Sequence, residues 1–102
     1  MKIKELFKQK QPTISFEVFP PNKIYTLEKV YEVIDEVSLL KPDFMSVTYG
    51  AGGSTRRNTV DIASKIKNIN NIEALAHLTC IGATKKEIDE ILKDLNKNNI
   101  EN

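Results

Sequence analysis

The 102-residue sequence holds one cysteine, Cys80, and one histidine, His77. No internal disulfide can form, which suits a reducing cytoplasm, and without a second histidine or an H-x-H spacing the ligand pattern of a zinc site is missing. An excess of charge is missing too: 15 Lys and Arg stand against 14 Asp and Glu, a net charge of +1. No basic cluster interleaved with aromatics offers an electrostatic footprint for nucleic acid or an anionic membrane. The longest apolar runs fall far short of the roughly 20 residues that a membrane helix needs. The opening "MKIKELFKQKQPT" lacks the apolar stretch of a secretory signal. A chain of this length has room for one domain and one core, burying roughly 60 to 70% of its unfolded surface.

What is present is a unit that occurs three times. "TISFEVFPP" (13–21), "DFMSVTYGAGG" (43–53) and "EALAHLTCIGA" (73–83) each run from a short apolar or alternating stretch into Gly or Pro, the pattern of a strand entering a loop. A helical pattern follows each. Over about Leu27 to Leu40, Leu27, Val30, Tyr31, Ile34 and Val37 share one face, and Pro42 stops the helix. Over about Thr59 to Ile69, Val60, Ile62, Ala63, Ile66 and Ile69 recur, with Asn70-Asn71 to end the run. The third helix opens on a T-x-x-E capping box, Thr84 and Glu87, ahead of Ile88, Ile91, Leu92 and Leu95. The expected order is therefore β-α-β-α-β-α, preceded by a lead-in at 1–12.

Repeated βα units imply parallel strands, in either an open doubly wound sheet or a (β/α)8 barrel. Strand parity chooses between them. A doubly wound sheet is covered on both faces and its strands read as almost continuous apolar runs. Here Ser15 and Glu17, Ser46 and Thr48, and His77 and Thr79 take one parity, while Phe16 and Val18, Met45 and Val47, and Ala76 and Leu78 take the other. One greasy face and one polar face fit a barrel, whose inward residues at the C-terminal strand ends line a site. Glu17, Thr48 and His77 recur at about 30 residues, the spacing of units when about 250 residues make eight. Residues 13–102 are thus expected to form the first three βα units of a (β/α)8 barrel, an incomplete barrel belonging to the N-terminal part of a longer protein.

"SFEVFPP" poses the functional question, because a carboxylate is the residue type least expected inside an apolar strand. Glu17 is either a solvated carboxylate on an edge strand or a general acid/base at the barrel mouth. Partial burial against Phe16 and Phe19 is expected of such an acid. Thr48 and His77, at equivalent strand ends, would share that mouth, although a lone histidine beside Ala76 and Leu78 is more often a wall residue than a catalyst. The loop "YGAGGSTRR" (49–57) carries Gly50, Gly52 and Gly53, which permit close backbone approach to a ligand. It fits neither the P-loop nor G-x-G-x-x-G. Arg56 and Arg57 could reach a diphosphate or simply be solvated, and nothing marks the Cys80 thiol as reactive.

Taken together, "SFEVFPP", "SVTYGAGGSTR" and "AHLTCIGAT", in this order and spacing, resemble the first three strand-end motifs of the methylenetetrahydrofolate reductases, over about Ile14 to Ile100. The resemblance implies a (β/α)8 barrel holding FAD, with NADH or NADPH as hydride donor. The reaction implied is reduction of 5,10-methylenetetrahydrofolate to 5-methyltetrahydrofolate, within one-carbon metabolism and methionine biosynthesis. Glu17 matches the acid that protonates N10 of the folate, so that the five-membered ring opens to an iminium. Thr48 matches a residue at the nicotinamide and flavin contact, and Tyr49, Ala51 and His77 match positions that contact FAD. A folate as small-molecule partner, a homo-oligomeric assembly and a cytoplasmic location complete the expectation. The family's fourth strand carries an Arg-Gly-Asp segment that this chain lacks, and strands five to eight supply much of the remaining site. The 102 residues alone are thus expected to be inactive and to bind FAD weakly or not at all. Two other readings stand beside it: a small α/β module holding a nucleotide on "GAGGST", and an inactive fragment that self-associates through exposed strand edges.

Overall fold

The computed structural model of the chain describes residues 1–9, 11–49 and 56–102, Arg56 by its backbone alone. Helix α1 (Ile3–Gln9) leads into strand β1 (Ser15–Val18), helix α2 (Leu27–Ser38) and strand β2 (Phe44–Val47). Helix α3 (Arg56–Ser64) continues into a wider π-helical turn (Lys65–Ile69), and strand β3 (Glu73–Ala76) and helix α4 (Lys85–Lys97) follow. The strands form one parallel sheet in the order β1-β2-β3, with Glu17, Ser46 and Leu75 side by side across it. This is the expected α/β succession of three parallel βα units. The lead-in at 1–12 proves to contain α1, seven residues that the periodicity analysis assigned to no element.

Local chemistry fixes the helix ends. Thr26 caps α2, its hydroxyl accepting from the Lys29 amide at 3.2 Å. At α4 the Thr84 hydroxyl accepts from the Glu87 amide while the Thr84 amide donates to the Glu87 carboxylate at 2.7 Å, so the capping box closes in both directions. The exits of the second, third and fourth helical segments each use a residue in the left-handed region: Lys41 (φ 51°), Asn71 (φ 56°) and Asn99 (φ 61°). Asparagine tolerates this conformation better than most residues, which is why Asn70-Asn71 terminates its helix. Helix α2 ends at Ser38, two residues earlier than the apolar pattern suggests, and Leu39 and Leu40 sit exposed in the following turn. Helix α3 begins at Arg56, three residues before the apolar periodicity does.

Burial is one-sided. Val18, Met45, Val47 and Ala74 point to the same face of the sheet and are buried with Val30 and Ile34 of α2 and Ile62, Ala63 and Ile66 of the α3 segment. Phe16 and Ala76 pack on the margin of this cluster. The opposite parity stays open along the middle and C-terminal part of the sheet. Its N-terminal end is covered by α1: Ile3 is buried, and the Phe7 ring meets the Phe44 ring edge-on at 6.1 Å between centroids. Beside it the Glu73 carboxylate, only 8% exposed, takes the Met1 amine at 3.0 Å and the Lys67 ammonium at 2.7 Å. Asn102 joins this cluster through its side-chain amide, which donates to Glu73 and to the Met1 carbonyl. Its own carbonyl accepts from the Ala76 amide, so the chain after α4 runs back alongside β3.

Two expectations follow for stability. Ile34 is fully buried and Leu39 is 81% exposed. Urea unfolding of Ile34→Ala should therefore show a loss of about 2–5 kcal/mol, and of Leu39→Ala a change within about 0.5 kcal/mol. The hydrogen bond to Glu73, opposed in part by burial, raises the Lys67 ammonium above the ordinary 10.5. A group whose folded-state value is raised lends stability that is whole below the unfolded value and is lost as pH climbs through the folded one. The melting-temperature gap between the parent chain and Lys67→Met should therefore hold up to about pH 10 and shrink above it; a gap that widens with pH would contradict the pairing.

Candidate active site

The open face of the sheet is where polar side chains converge. Alternation along β1 and β2 places Glu17 and Ser46 opposite the buried parity, and the parallel register sets them directly side by side. The Ser46 hydroxyl donates to Glu17 Oε1 at 3.3 Å. His77 lies one residue past β3, held by its amide's bond to the Val47 carbonyl at 3.0 Å, and its Nε2 stands 3.6 Å from the same Oε1. That separation permits an ion pair when the imidazole is protonated. Both side chains are about half exposed, 48% for Glu17 and 42% for His77, so water reaches the pair.

Thr48 extends the same surface. Its amide donates to the Val18 carbonyl at 3.0 Å, continuing the ladder beyond β2, and its carbonyl accepts from the hydroxyl of Thr59 at 3.2 Å. Thr59 is 2% exposed, so a buried side chain of α3 pins the point where β2 turns into its loop. The spacing argument set Glu17, Thr48 and His77 at one height. The register corrects this: Glu17 is level with Ser46 and Leu75, while Thr48 and His77 stand two residues further along their strands. The imidazole reaches back across that step to the carboxylate. Of the two aromatics expected to bury Glu17 in part, Phe16 turns to the helix-covered side, while Phe19, itself 64% exposed, borders the same cleft as the half-exposed carboxylate.

Of the remaining expected site residues, Tyr49 is partly buried and its hydroxyl has no hydrogen-bond partner among the described residues, although the atom itself is sequestered from water. An unsatisfied buried hydroxyl costs about 1–3 kcal/mol and is the kind of feature a ligand relieves. Ala51, Gly50, Gly52 and Gly53 lie outside the described residues, as do the "GAGGST" contacts of the nucleotide-module reading. Arg57 is exposed and pairs with Asp61 one turn on, at 3.7 Å, which makes it a solvated helix residue. Cys80 is exposed. No group of three or more His, Cys, Asp or Glu suited to a metal occurs among the described residues, and none of their helices is long and apolar enough to cross a membrane. Beside the β1 end, Glu17 also borders a cleft of about 420 Å³ lined by Phe19, Pro20, Tyr25, Val30 and Val33. Ser46 is the site residue that sequence reasoning missed. Only the strand register shows that it faces Glu17.

One consequence concerns Tyr49. Tyr49→Phe removes a hydroxyl that has no partner among the described residues, so the ligand-free chain should unfold at the same or a higher urea concentration than its parent; a clear fall in the midpoint would mean the hydroxyl is already satisfied.

Comparison with known proteins bears on the family. The family model described as methylenetetrahydrofolate reductase matches residues 2–102. The chain is 39% identical over 101 residues to "Methylenetetrahydrofolate reductase (NADH) 1" of Arabidopsis thaliana, covering 99% of this chain and 17% of that protein. It is 44% identical over 92 residues to the 5,10-methylenetetrahydrofolate reductase of Escherichia coli strain K12, covering 90% and 31%. The Buchnera aphidicola enzyme of the same name is 46% identical over 81 residues, covering 78% and 28%. The chain therefore spans less than a third of the length of each of these relatives. With the match running over nearly every residue, and with the parallel βα units and open polar face in place, the chain belongs to the methylenetetrahydrofolate reductase family, whose fold is the (β/α)8 barrel.

Proposed function

We propose that this chain contributes the first three strand ends of an active site that reduces 5,10-methylenetetrahydrofolate to 5-methyltetrahydrofolate, with Glu17 as the acid. The observation that carries the reading is the carboxylate of Glu17 on the open sheet face, hydrogen-bonded to Ser46 and within reach of His77, in a chain of this family. The reaction must put a proton on the folate N10 so that its bond to the one-carbon bridge breaks, the electron pair staying on N10 and the carbon becoming an iminium. Glu17 can deliver that proton from an exposed position and recover it from solvent, since nearly half of its side chain is open to water.

FAD, when bound, supplies the hydride relay between NADH or NADPH and the folate. Thr48, Tyr49, Ala51 and His77 would hold it. The fit rests on Tyr49, whose buried hydroxyl has no partner among the described residues, and on Thr48 and His77, whose backbones are pinned by the ladder while their side chains stay at the strand ends. We include the homo-oligomeric assembly, and a cytoplasmic place that an exposed, unpaired Cys80 suits.

The decisive variant is Glu17→Gln, which keeps size and hydrogen bonding but removes the acid. In the intact flavin-loaded protein it should leave flavin reduction by NAD(P)H within about twofold while slowing folate reduction by about 10²-fold or more, the usual contribution of a general acid. Equal losses in the two half-reactions would make Glu17 a structural residue.

A further inference from the structure

We propose that Ser46 is the positioning residue of the Glu17 carboxyl and selects which of its oxygens carries the proton. The inference rests on the reading of Glu17 as the acid. Ser46 occupies β2, paired with β1 on one side and β3 on the other, so the register on both sides fixes where its hydroxyl stands. Its nearest neighbours along the strand, Met45 and Val47, are fully buried under the helices and lock the alternation that turns Ser46 outward.

The Ser46 hydroxyl donates to Oε1, and His77 Nε2 also faces Oε1. Among the described residues no hydrogen bond reaches Oε2. In a neutral carboxyl the oxygen that accepts is the carbonyl oxygen, and the other one bears the hydrogen. A donor fixed on Oε1 therefore leaves the acidic hydrogen on Oε2, directed away from β2. Serine suits this task because its hydroxyl donates to the carboxyl in either protonation state without taking the proton for itself, whereas the imidazole can compete for it. The same hydroxyl also limits rotation of a side chain that is otherwise half exposed.

The test uses the intact flavin-loaded protein and follows each half-reaction by rapid mixing in Ser46→Ala, Ser46→Thr and Glu17→Gln. Ser46→Ala should slow folate reduction about tenfold, the scale of one lost hydrogen bond to the acid. The loss should fall on kcat, with the folate KM and flavin reduction by NAD(P)H each within about twofold. Ser46→Thr, which restores a hydroxyl, should recover most of the rate. An unchanged folate rate in Ser46→Ala overturns the proposal, and so does an equal loss in both half-reactions that threonine fails to restore. Glu17→Gln separates the two ideas. If it loses folate reduction while Ser46→Ala keeps it, only the positioning role is wrong; if Glu17→Gln keeps it, the acid assignment falls and takes the positioning role with it.

Discussion

Burial of one face of a short parallel sheet is the constraint on which the rest depends. Met45, Val47 and Ala74 lie at 0% exposure beneath α2 and the α3 segment, and Val18 joins them from β1. Because side chains alternate with a period of two, fixing these four fixes every residue between them. A slip of one position would carry Met45 and Val47 into water and drive Ser46 and Glu17 under the helices, where an unpaired carboxylate is expensive. The apolar parity thus holds the polar parity in place. The site's geometry follows from packing on the opposite side of the sheet.

The open face is itself divided. At the N-terminal ends of the strands, α1 lays Phe7 against Phe44 and brings the Met1 amine to Glu73, so this end is covered and its carboxylate is paired. At the C-terminal ends, Glu17, Thr48 and His77 remain accessible. Two glutamates on one sheet face therefore serve opposite ends: among the described residues Glu73 is held by Met1, Lys67 and Asn102, while Glu17 accepts a single side-chain hydrogen bond, from Ser46, and faces solvent. A barrel enzyme places stability at the first end and chemistry at the second. A carboxylate can sit within an apolar strand here because its own side chain never enters the core.

Much of this arrangement was legible in the sequence. The capping box at Thr84 and Glu87, the helix end at Asn70-Asn71 and the alternation in β1 and β2 are local signals, and each appears where residue type alone placed it. Helix α1 was harder to read. Its seven residues carry Ile3, Leu6 and Phe7 at helical spacing, but a helix so short owes its existence to Phe44 and Glu73, far along the chain. Ser46 was hidden for a related reason: a serine in an alternating strand reads as an ordinary outward residue until the register shows what stands beside it. Equal spacing of about 30 residues likewise suggested equal height for Glu17, Thr48 and His77, yet spacing does not fix the point at which each strand begins to pair. The glycine-rich stretch, including Ala51, lies outside the described residues.

The central claim is that the strand ends around Glu17 form part of a flavin and folate site. Its most direct test is a titration of the intact protein with FAD, followed by quenching of flavin fluorescence, for the parent beside Thr48→Ala and His77→Ala. The account predicts saturable binding that each substitution weakens by about tenfold, the scale of one lost polar contact. Saturable binding left unchanged by both substitutions would contradict it, because the flavin would then lie away from this face of the sheet.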